Sequence, residues 1–196
     1  MSMRSTVSAL VAAVLLGGCA AAHELSLQYE PPTTRHLSSP PTVSLQVDDQ
    51  RAFVASGEKT PSYVGHLRGG LGNTWNVTTA DEVPLALQVR NDLLRELGSM
   101  GIHETPSGSD KAIVVAIREW NFDTGLDSRL WYDLGIEVRS GGEVLVSSSV
   151  KDERVIKGSV SSGPMAGIDR EIPAIYADVI QGLVRNNPGV IAALRR

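Results

Sequence analysis

The sequence predicts an α+β domain: a mixed or antiparallel sheet of about four to six strands, with two amphipathic helices packed on one face. Three observations carry this. Several segments place apolar residues at every second position, the period of a half-buried strand. Two longer windows place them at helical spacing. The order of these segments, strand, hairpin, helix, three strands, helix, groups the strands so that both helices can cover one side.

The first strand is "TVSLQVDD" (Thr42–Asp49), where Val43, Leu45 and Val47 alternate with polar neighbours. "RAFVAS" continues it after a bend. "SYVGHL" and "TWNVTT" are strand-compatible and flank Gly69, Gly70 and Gly72, which reads as a hairpin or long loop. "DEVPLALQVRNDLLRELGSMGI" (81–102) is the first helix. Asp81 and Glu82 suit its positive N-terminus, Pro84 its first turn and Gly101 its C-terminal cap. Ala86, Val89, Leu93, Leu97 and Met100 form its apolar stripe, widened by Leu94, with the charged residues off it.

"KAIVVAIREWNF" (111–122) is a near-continuous apolar run and predicts a central strand. Leu130, Tyr132, Leu134, Ile136 and Val138 then alternate, and "SGG" at 140–142 turns the chain into a returning strand with Val144, Val146, Ser148 and Val150 on one face. "KGSVSSGP" is a polar connection. The second helix spans about 169–186 with Ile172, Ile175, Tyr176, Val179, Ile180 and Leu183 on its stripe, and Asn187 caps a short last helix that begins at Pro188.

The N-terminus reads as a targeting segment. Arg4 precedes an apolar run from Val7 to Leu16, too short for the ~20 residues that span a bilayer. "LGGC" (Leu16–Cys19) resembles the bacterial lipobox, which implies cleavage before Cys19 and acylation of that residue. Cys19 is the only cysteine, so it makes no internal disulfide and no cysteine-rich metal site. Ala20 and Ala21 follow it, and the lack of an Asp there favours the outer over the inner membrane. The expected organisation is a leader at 1–18, a lipidated Cys19 with a Pro-rich tether to residue 41, and one periplasmic domain at 42–196. The tether includes "YEPPTTRHLSSPP", a composition that stays extended.

A net charge of −4 argues against a general nucleic-acid partner, which needs a basic face. Nucleophile and phosphate motifs fare no better. There is no G-x-S-x-G elbow. Ser148-x-x-Lys151 falls in a strand, where the two side chains point to opposite faces. The glycine cluster lacks the Lys-Ser or Lys-Thr of a phosphate loop and no helix begins immediately after it. His23, His36, His66 and His103 show no metal-ligand spacing, so neither a metal nor a cofactor is expected.

The lipobox, the Pro-rich stretch, "VDDQR" (Val47–Arg51) and "YVGHLRGG" together resemble the YajG-type lipoproteins of Gram-negative bacteria. There a V-x-D-x-R-like strand end precedes an IG-x-R segment. Val64, Gly65 and Arg68 correspond, with one extra residue between glycine and arginine. The resemblance implies an envelope lipoprotein and no particular reaction.

The leading expectation is a non-enzymatic domain, held on the membrane by its lipid, that binds an envelope protein as an assembly or transport accessory. Asp49, Arg51, Arg68, Leu71 and Trp75, with the 69–75 loop, are its candidate contacts. A second expectation is a periplasmic hydrolase of cell-wall or lipid substrate built on His66, Asp49 and His103. A third is a small-ligand carrier using the groove between helices and sheet.

Overall fold

The computed structural model describes residues 23–32, 36–69, 73–105, 108–125, 128–156 and 163–196. The leader, Cys19, Leu71 and most of the "KGSVSSGP" connection lie outside them. The described elements are β1 (His23–Leu25), β2 (Thr42–Asp49), α1 (Ala52–Ala55), β3 (Tyr63–Arg68), β4 (Thr74–Thr79), α2 (Leu85–Ser99), β5 (His103–Glu104), β6 (Lys111–Thr124), β7 (Ser128–Ser140), β8 (Glu143–Ile156), α3 (Gly163–Leu183) and α4 (Pro188–Arg195).

The fold is α+β with a mixed sheet, as expected, but with eight strands and four helices among the described residues. β6 is its spine. One edge pairs antiparallel with β7 along the whole strand, and β7 pairs with β8. The other edge is shared. β2 runs parallel to residues 111–117, and β3 runs parallel to 122–124. β4 and then β1 extend the sheet beyond β3, while β5 extends it beyond β2.

The alternation in β6 puts Ile113, Val115, Ile117, Trp120 and Phe122 on one buried face. A bulge between Ile117 and Glu119 keeps the later residues in phase with β7. β7 adds Leu130, Leu134, Ile136 and Val138 to the same face. Helices cover it: α2 over β2, α3 and α4 over β7 and β8. Each fully buried Leu, Ile or Val there contributes about 1.5–3 kcal/mol. Between α3 and the sheet, Trp120 packs edge-on against Tyr176 at 5.5 Å and beside Tyr132 at 6.0 Å. Among the described residues, α2, α3 and α4 all lie on this side of the sheet.

Close approach decides one glycine. A Cβ on Gly65 would stand 2.4 Å from the Phe122 ring and 2.6 Å from the Phe122 carbonyl oxygen, so no other residue fits where β3 joins β6. At the β7–β8 turn, Gly141 and Gly142 both adopt positive φ, which a two-residue hairpin requires. Gly101 at φ +81° ends α2, and the Asn187 carboxamide oxygen accepts from Val190 N at 3.1 Å, both as expected.

Four expectations need correction. "RAFVAS" does not extend β2: Ala52–Ala55 is the short helix α1. Asp81 and Glu82 do not start α2. They form a 3₁₀ turn with positive φ values of 53° and 51°, because the chain must turn out of β4 before Pro84 opens α2.

The stretch drawn as a tether is part of the domain over much of its length. β1 pairs with β4, and Leu25, Leu27, Tyr29 and Leu37 are buried. Leu25, Leu27 and Tyr29 alternate with Ser26 and Gln28, a strand period that the prolines from Pro31 onward overshadowed in a reading by composition.

The charged residues of α2 are not all off its buried face. Asp92 and Glu96, one turn apart, are fully buried. Asp92 accepts from Tyr176 Oη at 2.6 Å, from Gln88 Nε2 at 2.8 Å and from Arg95. Glu96 accepts from Tyr29 Oη and from Arg185 Nε, the latter at 2.5 Å. Each carboxylate thus has an arginine and a tyrosine, which is how buried charge is tolerated. Burial, reinforced by the neighbouring carboxylate, pushes the Tyr29 and Tyr176 hydroxyls well above the ordinary tyrosine range, so both remain donors. The network joins α2 to α3 and to the N-terminal segment.

Candidate functional site

The shared edge of β6 creates a problem. Where β2 ends and β3 has not yet begun to pair, backbone carbonyls have no strand partner. Arg51 occupies the gap and is fully buried. Its Nη1 donates to the Tyr63 carbonyl and, at 3.4 Å, to the Trp120 carbonyl, and its Nη2 donates to the Pro61 carbonyl at 2.9 Å. Asp49 holds the guanidinium in place through Nε at 2.8 Å and Nη2 at 2.7 Å, a two-pronged pair. The "VDDQR" stretch is therefore a clamp that fixes the fork of the sheet. Arg51, expected as a partner contact, offers no surface. Asp49 is spent on Arg51.

Next to the clamp, on the face opposite α2, α3 and α4, β3 and β6 bring four polar side chains into line. His66 pairs with Asp123 in the strand register, and Nε2 of His66 lies 3.1 Å from Asp123 Oδ1. Tyr63 Oη lies 3.2 Å from His66 Nδ1 and 3.1 Å from Asn121 Oδ1. Arg68 grips Asp123 from the other side, with Nε at 2.7 Å and Nη2 at 2.5 Å. Lys59 Nζ donates to Asn76 Oδ1 at 3.0 Å and lies 5.0 Å from the Tyr63 ring centre. Phe53 of α1 packs edge-on against the same ring at 5.3 Å. A shallow cavity of about 300 Å³ opens here, lined by Phe53, Lys59, Tyr63, His66, Asn76 and Asn121 among others.

Burial, with the nearby Asp123 charge, pushes the Tyr63 hydroxyl up to about 12, so it stays protonated. The Arg68 hydrogen bonds hold the Asp123 carboxyl below its ordinary range, so it stays ionised. Imidazole sits between a fixed donor and a fixed acceptor. Neutral His66 can accept from Tyr63 at Nδ1 and donate to Asp123 at Nε2.

The predicted residues are distributed as follows. Arg68 is 55% exposed at its side chain and bound to Asp123, at the end of β3. Trp75 is 43% exposed on β4, opposite Leu67 and therefore on the other face of the hairpin from His66 and Arg68. Its ring lies over Gly69, where a Cβ would come within 2.1 Å of it. His66, Asp49 and His103 do not form one site. His103 pairs with Thr42 at the start of β2, and Asp49 ends that strand seven residues later, about 23 Å away at 3.3 Å per residue. Ser148 and Lys151 face opposite sides of β8, Ser148 accepting from Asn187 at 3.1 Å and Lys151 reaching Asp133 at 3.4 Å.

Sequence reasoning missed Tyr63, Asn121 and Asp123. The signal was present for two of them. In "WNFDT" the apolar Trp120 and Phe122 alternate with Asn121 and Asp123, which places both polar residues on the outer face.

No family model matches the chain, and no curated protein matches its sequence. Solved structures do. The chain shares its fold with a Xanthomonas campestris protein of the DUF330 family. The identity is 12%, the TM-score 0.54, and the match covers 84% of this chain and 95% of that one. At this identity the likeness establishes the fold alone. A second uncharacterised protein matches at 14% identity and a TM-score of 0.48, over 84% of this chain and 99% of that one. PelC from Paraburkholderia phytofirmans, a dodecamer, matches at 14% identity and a TM-score of 0.41, over 79% and 90%.

Proposed function

We propose that this chain is a non-enzymatic envelope lipoprotein of the YajG type, acylated at Cys19, that binds a protein of the envelope through the face of its sheet opposite α2, α3 and α4. The anchor reading rests on "LGGC" and on Cys19 being the only cysteine. The family reading rests on "VDDQR" and "YVGHLRGG", and the Asp49–Arg51 clamp supplies a physical reason for the first of these motifs. The observation that carries the binding surface is the ordered line His66–Asp123–Arg68, backed by the buried Tyr63, on the face opposite α2, α3 and α4. His66, Asp123 and Arg68 are held by one another and by Tyr63, so a partner meets a preformed polar surface and little ordering entropy is lost on binding.

Two measurements test this. Intact mass of the protein purified from membranes is expected to show an acylated N-terminal Cys19, and a retained leader with a free thiol would refute the anchor. A photoreactive residue at Asn76, exposed on the same face as His66, is expected to capture one envelope protein in cells. The absence of any protein adduct across growth conditions would refute the docking surface.

A further inference from the structure

The described chain begins at His23, in β1, and β1 runs parallel to β4 with His23 opposite Val77. The chain therefore enters the domain from the side of the β3–β4 hairpin end. Three residues lie between Cys19 and His23, four Cα steps and at most about 14 Å of chain. Because β1 is paired, that is the whole reach of the anchor. The Pro-rich stretch lies downstream of β1 and adds nothing to it. Trp75 stands two residues beyond Val77 in the same direction, about 7 Å further along. The end of the domain is thus within the anchor's own span of the lipid.

The strand register extends this level across the sheet. Leu67, opposite Trp75, pairs with Thr124; Thr124 pairs with Ser128; Ser128 pairs with Ile156. Val155, 53% exposed, thus stands at the same end of the sheet on β8. At the opposite end of β8, Val144 is 47% exposed, eleven residues away and about 35 Å distant.

We infer that this end of the domain rests on the bilayer surface, with the exposed part of Trp75 in the headgroup region and Val155, four strands away on the other face of the sheet, at the same level, while the Val144 end points away. The occupant is the lipid surface itself. An indole packed against Gly69 and still 43% exposed is an amphipathic ring of the kind that settles at a membrane interface. A contact of this sort fixes the tilt of an anchored domain, which an acyl chain alone does not. The inference rests on acylation of Cys19.

The test uses the full acylated protein in phosphatidylethanolamine–phosphatidylglycerol vesicles. Acylation occupies the only native thiol, so Trp75→Cys, Val155→Cys and Val144→Cys each accept a single environment-sensitive label. Labels at 75 and 155 are expected to shift to the blue and to be quenched by lipids brominated on their acyl chains near the headgroups; the label at 144 is expected to stay aqueous. Unlabelled protein supplies an independent reading: lipid quenching of tryptophan emission is expected to fall in Trp75→Phe, with its thermal unfolding unchanged. If Cys19 is acylated and all three labels stay aqueous, or all three respond alike, the orientation is refuted and the anchor stands. Cross-linking of position 75 to a protein in native membranes, without lipid quenching, also refutes it. An unmodified Cys19 refutes the anchor and the orientation together.

Discussion

Replacing Arg51 with methionine tests the clamp at the fork. The side chain keeps its approximate length and apolar stem and loses the guanidinium. The Tyr63 carbonyl loses its donor and the weaker 3.4 Å contact to the Trp120 carbonyl goes too, while the Pro61 carbonyl keeps the Leu85 N–H at 3.0 Å. A buried acceptor left without a partner costs about 1–3 kcal/mol. Asp49, only 11% exposed, loses both prongs of its ion pair, and breaking a buried pair from one side costs about 3–5 kcal/mol. Entry of water into the gap offsets part of this, leaving a destabilisation of about 4–6 kcal/mol. That is a large share of the roughly 5–15 kcal/mol that holds a domain folded. At about 2–4 °C per kcal/mol the melting temperature falls by roughly 10–20 °C. Urea unfolding followed by tryptophan emission measures it, since Trp120 lies beside the fork. The double variant Asp49→Leu with Arg51→Met is expected to be more stable than Arg51→Met alone, because it no longer buries an unpaired carboxylate. If Arg51→Met unfolds within about 1 kcal/mol of the wild type, the clamp is not what holds β2 and β3 on one edge.

Two further outcomes follow from the same physics. Tyr29→Phe removes a donor from the buried Glu96, which is expected to cost about 1–3 kcal/mol. Hydrogen exchange is expected to rise over 23–29 well before β6, and uniform exchange across both would refute the N-terminal segment as a separately held strap. Asp123 is ionised below its ordinary range when folded, so its contribution is fully present above its unfolded pKa of about 3.9 and is lost as pH falls through the lower folded value. Arg68→Ala raises the folded pKa towards the unfolded one, so stability is expected to fall less steeply with acid below about pH 4. Equal slopes in urea midpoints for wild type and variant would refute the Arg68–Asp123 pairing in solution.

The β6–β7–β8 meander, α2 and α3 were legible in the sequence because each carries a long run of one period. Twelve or more residues of alternation or of helical spacing leave a single face to bury, and a local pattern suffices to say which. Turn chemistry was legible for the same reason: Gly141 and Gly142 have few other uses between two alternating strands. The short elements were not. β5 and α1 span two and four residues, and what makes them regular is a neighbouring strand or a packed ring, not their own sequence; β1 does open an alternating run, Leu25, Leu27 and Tyr29, which the prolines after it masked.

The candidate site divides along the same line. His66 and Arg68 drew notice as residue types, yet their meaning depended on Asp123, 55 residues from Arg68 in sequence. Arg51 and Asp49 look like surface charges in "VDDQR", and only the fork of the sheet, which leaves carbonyls without strand partners, turns them inward. Asp92 and Glu96 break the apolar stripe of α2 because tyrosines and arginines from distant segments meet them there. Local sequence determined which segments are strands and helices and which faces they bury, since period and propensity act between near neighbours. Tertiary structure decided which polar side chains serve the interior and which form a surface, since burial of a charge is settled by partners that only folding brings together.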